Sequence, residues 1–349
     1  MLTPEQIRSA ATPLVAVYRD VEDEVLTMLG KRLAKGSLDN TSQYLADQLA
    51  SNATTDVAEV LAKATRKIDS TAASTVDSVA GKTVADELKV IGTSLSPTLE
   101  AKLARASAVA AQRMVAMTPR IAAGTAQAYN AVVNKAVVSV ASGLKSSDRA
   151  LTDACKELGE KGIQVVDFAK RGTWNVEDVV RAQIRTEAVN AGNDAKMDLY
   201  AEADQDLVEV TWHNGARPEH AEWQGQIFSL SGTSDKYPNF YEVTEYGDAA
   251  GLCGVNCRHD YGAYDEELGK RYPEPIDIEE NNRVYALEQE QRKQEREIRK
   301  LKRQRAVLDG AGIDAPNINA KIAQRQAKIR SIVDEGGLRR RYDRENPKL

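Results

Sequence analysis

One segment of this chain, residues 207–275, concentrates residue types that are scarce elsewhere. It holds 10 of the 18 aromatic residues, all 3 histidines, 2 of the 3 cysteines and 8 of the 22 glycines. Val208–Trp212 alternates like a half-buried strand, and Gln226–Leu230 is its expected partner. Because aromatic side chains bury much area each, they suit a core that must be dense in a small domain. We therefore predict a compact α+β module at 207–275.

The chain before this module has the pattern of successive helices. Residues 1–172 are predicted to be helical and alanine-rich. Helix N-termini are indicated where a serine or threonine precedes a proline, at Thr3-Pro4, Ser96-Pro97 and Thr118-Pro119. A connecting helix at 173–206 is predicted from an apolar stripe at every fourth position, formed by Val176, Val180, Ile184 and Ala188. Alanine-rich helices approach closely but bury little area each, so this composition also suits a surface that another subunit completes.

The chain after the module, residues 276–349, is predicted to be a basic helical hairpin. Its first helix is polar nearly all round and ends near Gly312, and its second helix ends at Gly336-Gly337. Residues 279–349 carry an excess of six basic over acidic residues, whereas the rest of the chain has a net charge of −11. The fold class is therefore expected to be mainly α with a small α+β module.

Composition excludes several classes of protein. The longest apolar runs are too short to span a membrane, and the N-terminus lacks the basic and apolar regions of a signal peptide. Three cysteines cannot form a disulfide framework, which indicates a reducing compartment such as the cytoplasm. A Walker-type phosphate loop is absent from the sequence, and no glycine fingerprint for dinucleotides follows a strand.

The histidines and cysteines of the module form the strongest candidate for a chemical site. Cys253-x-x-x-Cys257-x-His259 with His220 offers four zinc ligands, and His213 is a fifth candidate. A structural zinc ion would stabilise so small a domain. The three-residue gap between the cysteines is unusual for zinc, so ordinary packing of the cysteines and hydrogen bonding of the histidines to turns remains the alternative.

The same histidines and cysteines also raise the hypothesis of an enzyme active site. Cys257 beside a histidine resembles a nucleophile–base pair, and His213, His220 and Glu222 would suit a metal-dependent hydrolase or nuclease. Neither arrangement has a recognisable structural setting in the sequence. We therefore predict no catalytic residues and no enzyme activity.

The tail contains a basic run between residues 292 and 305, with eight basic and two acidic residues. Such a run is able to contact DNA phosphates without reading bases, and it lacks aromatic residues for stacking on single strands. A solvated helix face with Glu/Arg pairs is the plainer interpretation. The candidate DNA contacts are Arg292, Lys293, Arg296, Arg299, Lys300, Lys302, Arg303 and Arg305.

Several long strings together resemble the phage minor capsid protein 2 family. They are His213–Gly225 (HNGARPEHAEWQG), Tyr237–Gly247 (YPNFYEVTEYG), Gly251–His259 (GLCGVNCRH) and the tail segment Gln289–Arg303. Upstream, Ile184–Gly192 (IRTEAVNAG) is similar to the Arg-Thr-Glu helix of the head-morphogenesis group typified by the phage Mu F protein. The resemblance covers roughly residues 175–305, and ordered strings of this length are highly specific.

The resemblance implies a structural protein of a tailed-phage virion, present inside the head near the portal vertex and made in the host cytoplasm. Its expected partners are the portal or major capsid protein and, through the tail, packaged double-stranded DNA; no membrane partner is expected. The alternative in the same class is an ejection protein that leaves with the DNA. The resemblance strengthens the zinc hypothesis and carries over a module signature of Gly215, Arg217, Pro218, Trp223, Gly225, Asn256 and Arg258. As an alternative role, Arg217 and Arg258 could pair with carboxylates such as Glu187 of the preceding helix and so tie that helix to the module.

Overall fold

A computed structural model describes residues 1–35, 52–167, 172–272 and 277–345. The predicted boundary between module and tail at 275/276 lies outside these residues. Six helices lie between the described residues 1 and 161: α1 (Pro4–Ser9), α2 (Thr12–Lys35), α3 (Ala53–Ile91), α4 (Pro97–Val115), α5 (Thr118–Ala141) and α6 (Ser147–Lys161). Threonine before Pro4 caps α1, as the start signal predicts.

The described residues from 164 onward contain a β1–β2 hairpin, a long helix, the strands and short helices of the module, and the tail helices. In order they are β1 (Gln164–Asp167), β2 (Gly172–Asn175), α7 (Val176–Glu202), β3 (Leu207–Val210), α8 (Pro218–Ala221), β4 (Ile227–Ser229), α9 (Phe240–Thr244), β5 (Tyr261–Ala263), α10 (Ile278–Gly310), α11 (Pro316–Gly336) and α12 (Tyr342–Glu345). The prediction of a mainly α fold with a small α+β module is confirmed. No helix in the described ranges is long and apolar enough to cross a membrane.

The chain divides into two compact units, each assembled from three separated segments. The first unit comprises Met1–Leu14, Asp69–Arg113 and Arg181–Gln289, and the second comprises Val15–Ile68, Met114–Val180 and Glu290–Leu349. The predicted module at 207–275 falls whole within the first unit, whereas the helical regions on either side of it contribute to both.

The first unit is built around a three-stranded antiparallel sheet in the order β4-β3-β5. The predicted pairing of the first two strands is confirmed, with Val208 opposite Phe228, while β5 was not predicted. One face of this sheet contributes to a core that α7 also lines through Val189 and Tyr200. The aromatic side chains that composition singled out fill that core, chiefly Phe228, Phe240 and Tyr261.

The second unit contains helices and a β1–β2 hairpin that the sequence analysis had assigned to helix and connecting helix. The predicted tail hairpin is present as α10 and α11, which run antiparallel, since Lys328 near the end of α11 pairs with Glu290 of α10 at 2.7 Å. The isoleucine stripe of α11 is buried as its period predicts. The part of the polar helix α10 that belongs to the second unit is covered there, since Ile298, Val307 and Leu308 are fully buried.

A glycine permits the close approach of α2 and α10 within the second unit. A Cβ on Gly30 would overlap the backbone carbonyl oxygen of Val307. We expect Gly30→Ala to destabilise the protein by about 1–3 kcal/mol, because a backbone atom cannot move aside as a side-chain end can. Urea denaturation measures this change. The matched control is Gly81→Ala on α3, where a Cβ meets nothing within 4 Å and helix propensity should add up to about 1 kcal/mol. Equal effects of the two substitutions would contradict the packing explanation.

Candidate metal centre

Three short elements of the first unit present the candidate ligands. His220 lies in α8, a single turn that begins with Pro218 after Arg217, and His213 lies in the loop between β3 and α8. Cys253 and Cys257 lie in a turn-rich loop that ends at His259, directly before β5. Positive φ angles at Cys253 (60°) and Asn256 (62°) fold this loop back on itself. The loop thereby brings the second cysteine beside the two histidines.

Three of the predicted ligands converge on one buried point. The ligand atoms of His220, Cys257 and His259 all lie within 4.8 Å of one another. Cys257 Sγ is 3.6 Å from His220 Nδ1 and 3.6 Å from His259 Nδ1. Within the described parts of the chain, this is the set of histidine, cysteine and acidic side chains whose geometry suits a metal ion.

The other two predicted ligands lie beside the set rather than in it. Cys253 is buried, but its thiol is directed at the carbonyl oxygen of His259 at 3.7 Å. His213 stacks on the ring of His259 with 4.5 Å between centroids. Its Nε2 is buried and has no hydrogen-bond partner among the described residues. All three cysteines of the chain are free, as the sequence analysis expected.

Hydrogen bonds fix the tautomers of both converging histidines. His220 Nε2 lies 2.7 Å from the carbonyl oxygen of Ala250, so this nitrogen must carry a proton. His259 Nε2 lies 3.1 Å from Gln224 Oε1. The backbone N–H of His213 donates to the same oxygen at 3.0 Å, which fixes the orientation of the Gln224 amide. Both Nδ1 atoms therefore present lone pairs to Cys257.

Burial keeps the cluster neutral. Desolvation lowers the pKa of His220 and lowers that of His259 well below the ordinary value. The same cause raises the pKa of Cys257. A thiolate–imidazolium pair of the kind that a cysteine nucleophile needs is therefore disfavoured. Glu222, the general base of the hydrolase hypothesis, is exposed and lies outside the set.

The signature residues of the module shape and anchor the loops around the cluster. Gly215 (φ 75°) and Gly225 (φ 69°) adopt backbone conformations that favour glycine. Trp223 is buried with its ring centroid 4.7 Å from that of His220. Asn256 accepts a hydrogen bond from Arg185 of α7 at 2.5 Å, which ties the cysteine loop to that helix.

Among the described residues, the signature arginines have partners other than Glu187, and one of those partners is a carboxylate. Arg258 pairs with Glu288 of α10 at 2.8 Å, and it also donates to the carbonyl oxygen of Gly215. Arg217 donates to the carbonyl oxygen of Val255. Glu187 pairs instead with Arg113 of α4. The sequence offered several carboxylates, and only the tertiary structure selects among them.

The candidate DNA contacts of α10 separate into two groups. Arg299 pairs with Glu177 at 3.3 Å, Lys300 contacts Glu160, and Arg303 is buried. Burial lowers the pKa of Lys302. In contrast, three members of the predicted set are exposed: Lys293, Arg296 and Arg305. Arg292 is partly buried.

A family model described as phage minor capsid protein 2 matches residues 2–334. The chain belongs to this family. It is therefore a minor capsid structural protein of a bacteriophage, as the motif strings indicated, and it is a component of the virion.

Two curated relatives of this minor capsid protein are both described as structural proteins. The first, from Lactococcus phage LL-H, is 31% identical over 227 residues, which cover 62% of this chain and 61% of the relative. The second, from Lactococcus phage mv4, is 37% identical over 115 residues, which cover 32% of this chain and 91% of the relative. The minor capsid protein thus aligns with about three-fifths of the first relative's length. No solved structure matches it.

Proposed function

We propose that this minor capsid protein is a fixed component of the phage head near the portal vertex, where it binds portal or major capsid subunits. The position follows from the resemblance of its motif strings to those of minor head proteins. Binding rather than covalent chemistry is supported by the family's structural character and by the neutral, buried cluster of the module. The surface that binds these subunits is inferred from the exposure and pairing of the chain's own side chains.

The observation that carries this proposal is that basic side chains of the tail form ion pairs with acidic side chains of the same chain. Arg299 and Arg303, two of the predicted DNA contacts, are about nine-tenths buried and lie against Glu177 and Glu22 of the same unit. A cation that is already paired and desolvated releases no counterions from DNA. The helix α10 therefore serves mainly as a packing element, which favours protein partners over a DNA-binding role.

Exposed apolar side chains supply a surface for such a partner. Val138 and Leu144, at the end of α5 and just beyond it, are 63% and 78% exposed, and Trp174 on β2 is 52% exposed. Large apolar groups that remain exposed in one unit are typical of sites that a partner covers. Uncharged groups of this kind attract another protein surface rather than a polyanion.

The test is to count copies of the chain in full and in DNA-emptied particles. We expect equal copy numbers, because a component held by portal or capsid contacts stays when the genome leaves. Loss of the chain from emptied particles would establish the ejection role instead and overturn the proposal.

A pair of variants tests the surface in the same particles. Leu144→Asp is expected to lower incorporation about tenfold, the effect of 1.4 kcal/mol of lost binding. The control is Leu268→Asp in the first unit, since Leu268 is equally exposed at 78% and no other large apolar side chain beside it in sequence is exposed. Equal incorporation of the two variants would reject the surface around Leu144.

A further inference from the structure

Two of the ligand-to-ligand distances among His220, Cys257 and His259 match those of a tetrahedral zinc centre. Zinc binds sulfur at about 2.3 Å and nitrogen at about 2.0–2.1 Å, so tetrahedral geometry places a sulfur and a nitrogen ligand about 3.5 Å apart. Both Sγ-to-Nδ1 distances from Cys257 are 3.6 Å. The three ligand atoms are also mutually close enough to share one ion.

The hydrogen bonds of the cluster do not balance without a cation. Both histidines direct an Nδ1 lone pair at Cys257, because their Nε2 protons are committed to Ala250 and Gln224. A thiol has a single proton, so it satisfies one of the two nitrogens and leaves the other facing the sulfur lone pairs. Leaving a buried acceptor unsatisfied costs free energy. A metal ion between the three atoms removes this conflict, since every lone pair then becomes a ligand.

The surroundings of the cluster match the outer shell of a metal site. Metal-binding histidines almost always donate their second N–H to a carbonyl or carboxylate, which orients the ring. Ala250 and Gln224 accept those two N–H groups here. The backbone N–H of His259 points at Cys257 Sγ at 3.4 Å, a contact that stabilises a thiolate.

We propose that His220 Nδ1, Cys257 Sγ and His259 Nδ1 bind one zinc ion in this module. One thiolate and two imidazoles are ligands for zinc rather than for magnesium or calcium, which take oxygen. The described residues offer no fourth histidine, cysteine or acidic ligand within the set. Cys253 is not a ligand, because its thiol is engaged by the carbonyl oxygen of His259. Zinc binding at these three residues is independent of the proposed position of the chain in the virion.

Metal content of the purified full-length chain tests the proposal. We expect one zinc per chain by elemental analysis. After chelation, the chain should take up one Co²⁺ with a sulfur-to-metal charge-transfer band in its absorption spectrum. A chain that binds neither ion after reduction, or a cobalt complex without that band, would overturn the proposal.

Substitutions distinguish the ligands from their neighbours. Cys257→Ser should weaken zinc binding at least a hundredfold, whereas Cys155→Ser, at a buried cysteine of the second unit, and Cys253→Ala should bind as the unchanged chain does. Equal affinity of Cys257→Ser, or loss of zinc from a folded Cys253→Ala, would contradict the ligand assignment.

A second pair of variants keeps the test independent of folding defects at the ligands. Gln224→Leu removes the acceptor for His259 and should weaken zinc binding about 10- to 100-fold. Gln224→Glu retains an acceptor oxygen and should restore most of the affinity. If both variants fold and bind zinc equally, the outer-shell role of Gln224 and the tautomers inferred from it are wrong.

Discussion

Lys196→Met is expected to destabilise the first unit by about 3–5 kcal/mol, because it leaves a buried carboxylate without its cation. Lys196 of α7 is fully buried, and its Nζ donates to Asp260 Oδ1 and to the carbonyl oxygen of Tyr261, each at 2.6 Å. The ammonium also lies 3.8 Å from the centroid of the Tyr261 ring. Equilibrium urea unfolding, followed by circular dichroism, measures the change.

An exposed lysine provides the matched control for this prediction. Lys102 of α4 pairs with Asp198 of α7, the helix that also carries Lys196, at 2.5 Å, but both side chains are exposed. Lys102→Met should therefore change stability by no more than about 1 kcal/mol. The double variant Lys196→Met/Asp260→Asn should recover part of the loss, because a neutral amide oxygen still accepts the backbone N–H of Leu2. A loss in Lys196→Met as small as that in the control would refute the role assigned to the buried pair.

The second large effect is expected at Arg303, where replacement by methionine should cost about 3–5 kcal/mol. Arg303 donates to the carbonyl oxygens of Gly159 at 3.1 Å and Glu160 at 3.4 Å, which are unpaired groups at the end of α6. Its guanidinium also lies 3.9 Å from the buried carboxylate of Glu22. Arg305→Met is the control, since Arg305 is exposed and should contribute within about 0.5 kcal/mol.

The Arg303 variant should also acquire a distinctive pH dependence. Burial raises the pKa of Glu22, and Arg303 opposes that rise. Without Arg303 the folded-state pKa rises further above the unfolded value of about 4.3, so the folded state holds a proton that the unfolded chain releases. The stability deficit of Arg303→Met should therefore be smallest below about pH 4 and grow as the pH rises toward neutrality. A deficit that is constant with pH would show that Glu22 is not coupled to Arg303.

Sequence reasoning succeeded where the determining interactions are local. The stripe of α7 repeats every four residues, so its buried face was predictable, and Val176, Val180, Ile184 and Ala188 are all buried. Cys257 and His259 are two residues apart, so a turn suffices to bring them together, whereas His220 and His213 were long-range candidates, of which His220 lies in the converging set. The strand pair β3–β4 was predictable because alternation marks each strand.

Sequence reasoning failed where a partner lies far along the chain. The run at 292–305 has the pattern of a solvated or DNA-facing helix, yet Glu22 and Glu177, which pair with its arginines, lie far upstream in the sequence. The Lys196–Asp260 pair was likewise invisible, since an isolated lysine in a helix predicts a solvated side chain. Gln224 was not predicted as a functional residue, although it lies inside the His213–Gly225 string that carries the family resemblance. Its contact with His259 gives a structural reason for a glutamine at this position.

The division of each unit among three distant segments affects how the chain is made. The segment Glu290–Leu349 is synthesised long after Val15–Ile68, yet the two segments belong to the same unit. Contacts of such large sequence separation close slowly, because a long loop must be ordered before they form. A nascent chain that stops before Glu290 therefore lacks one of the three segments of the second unit. Such a truncated copy cannot complete that unit, so folding itself distinguishes it from a longer chain.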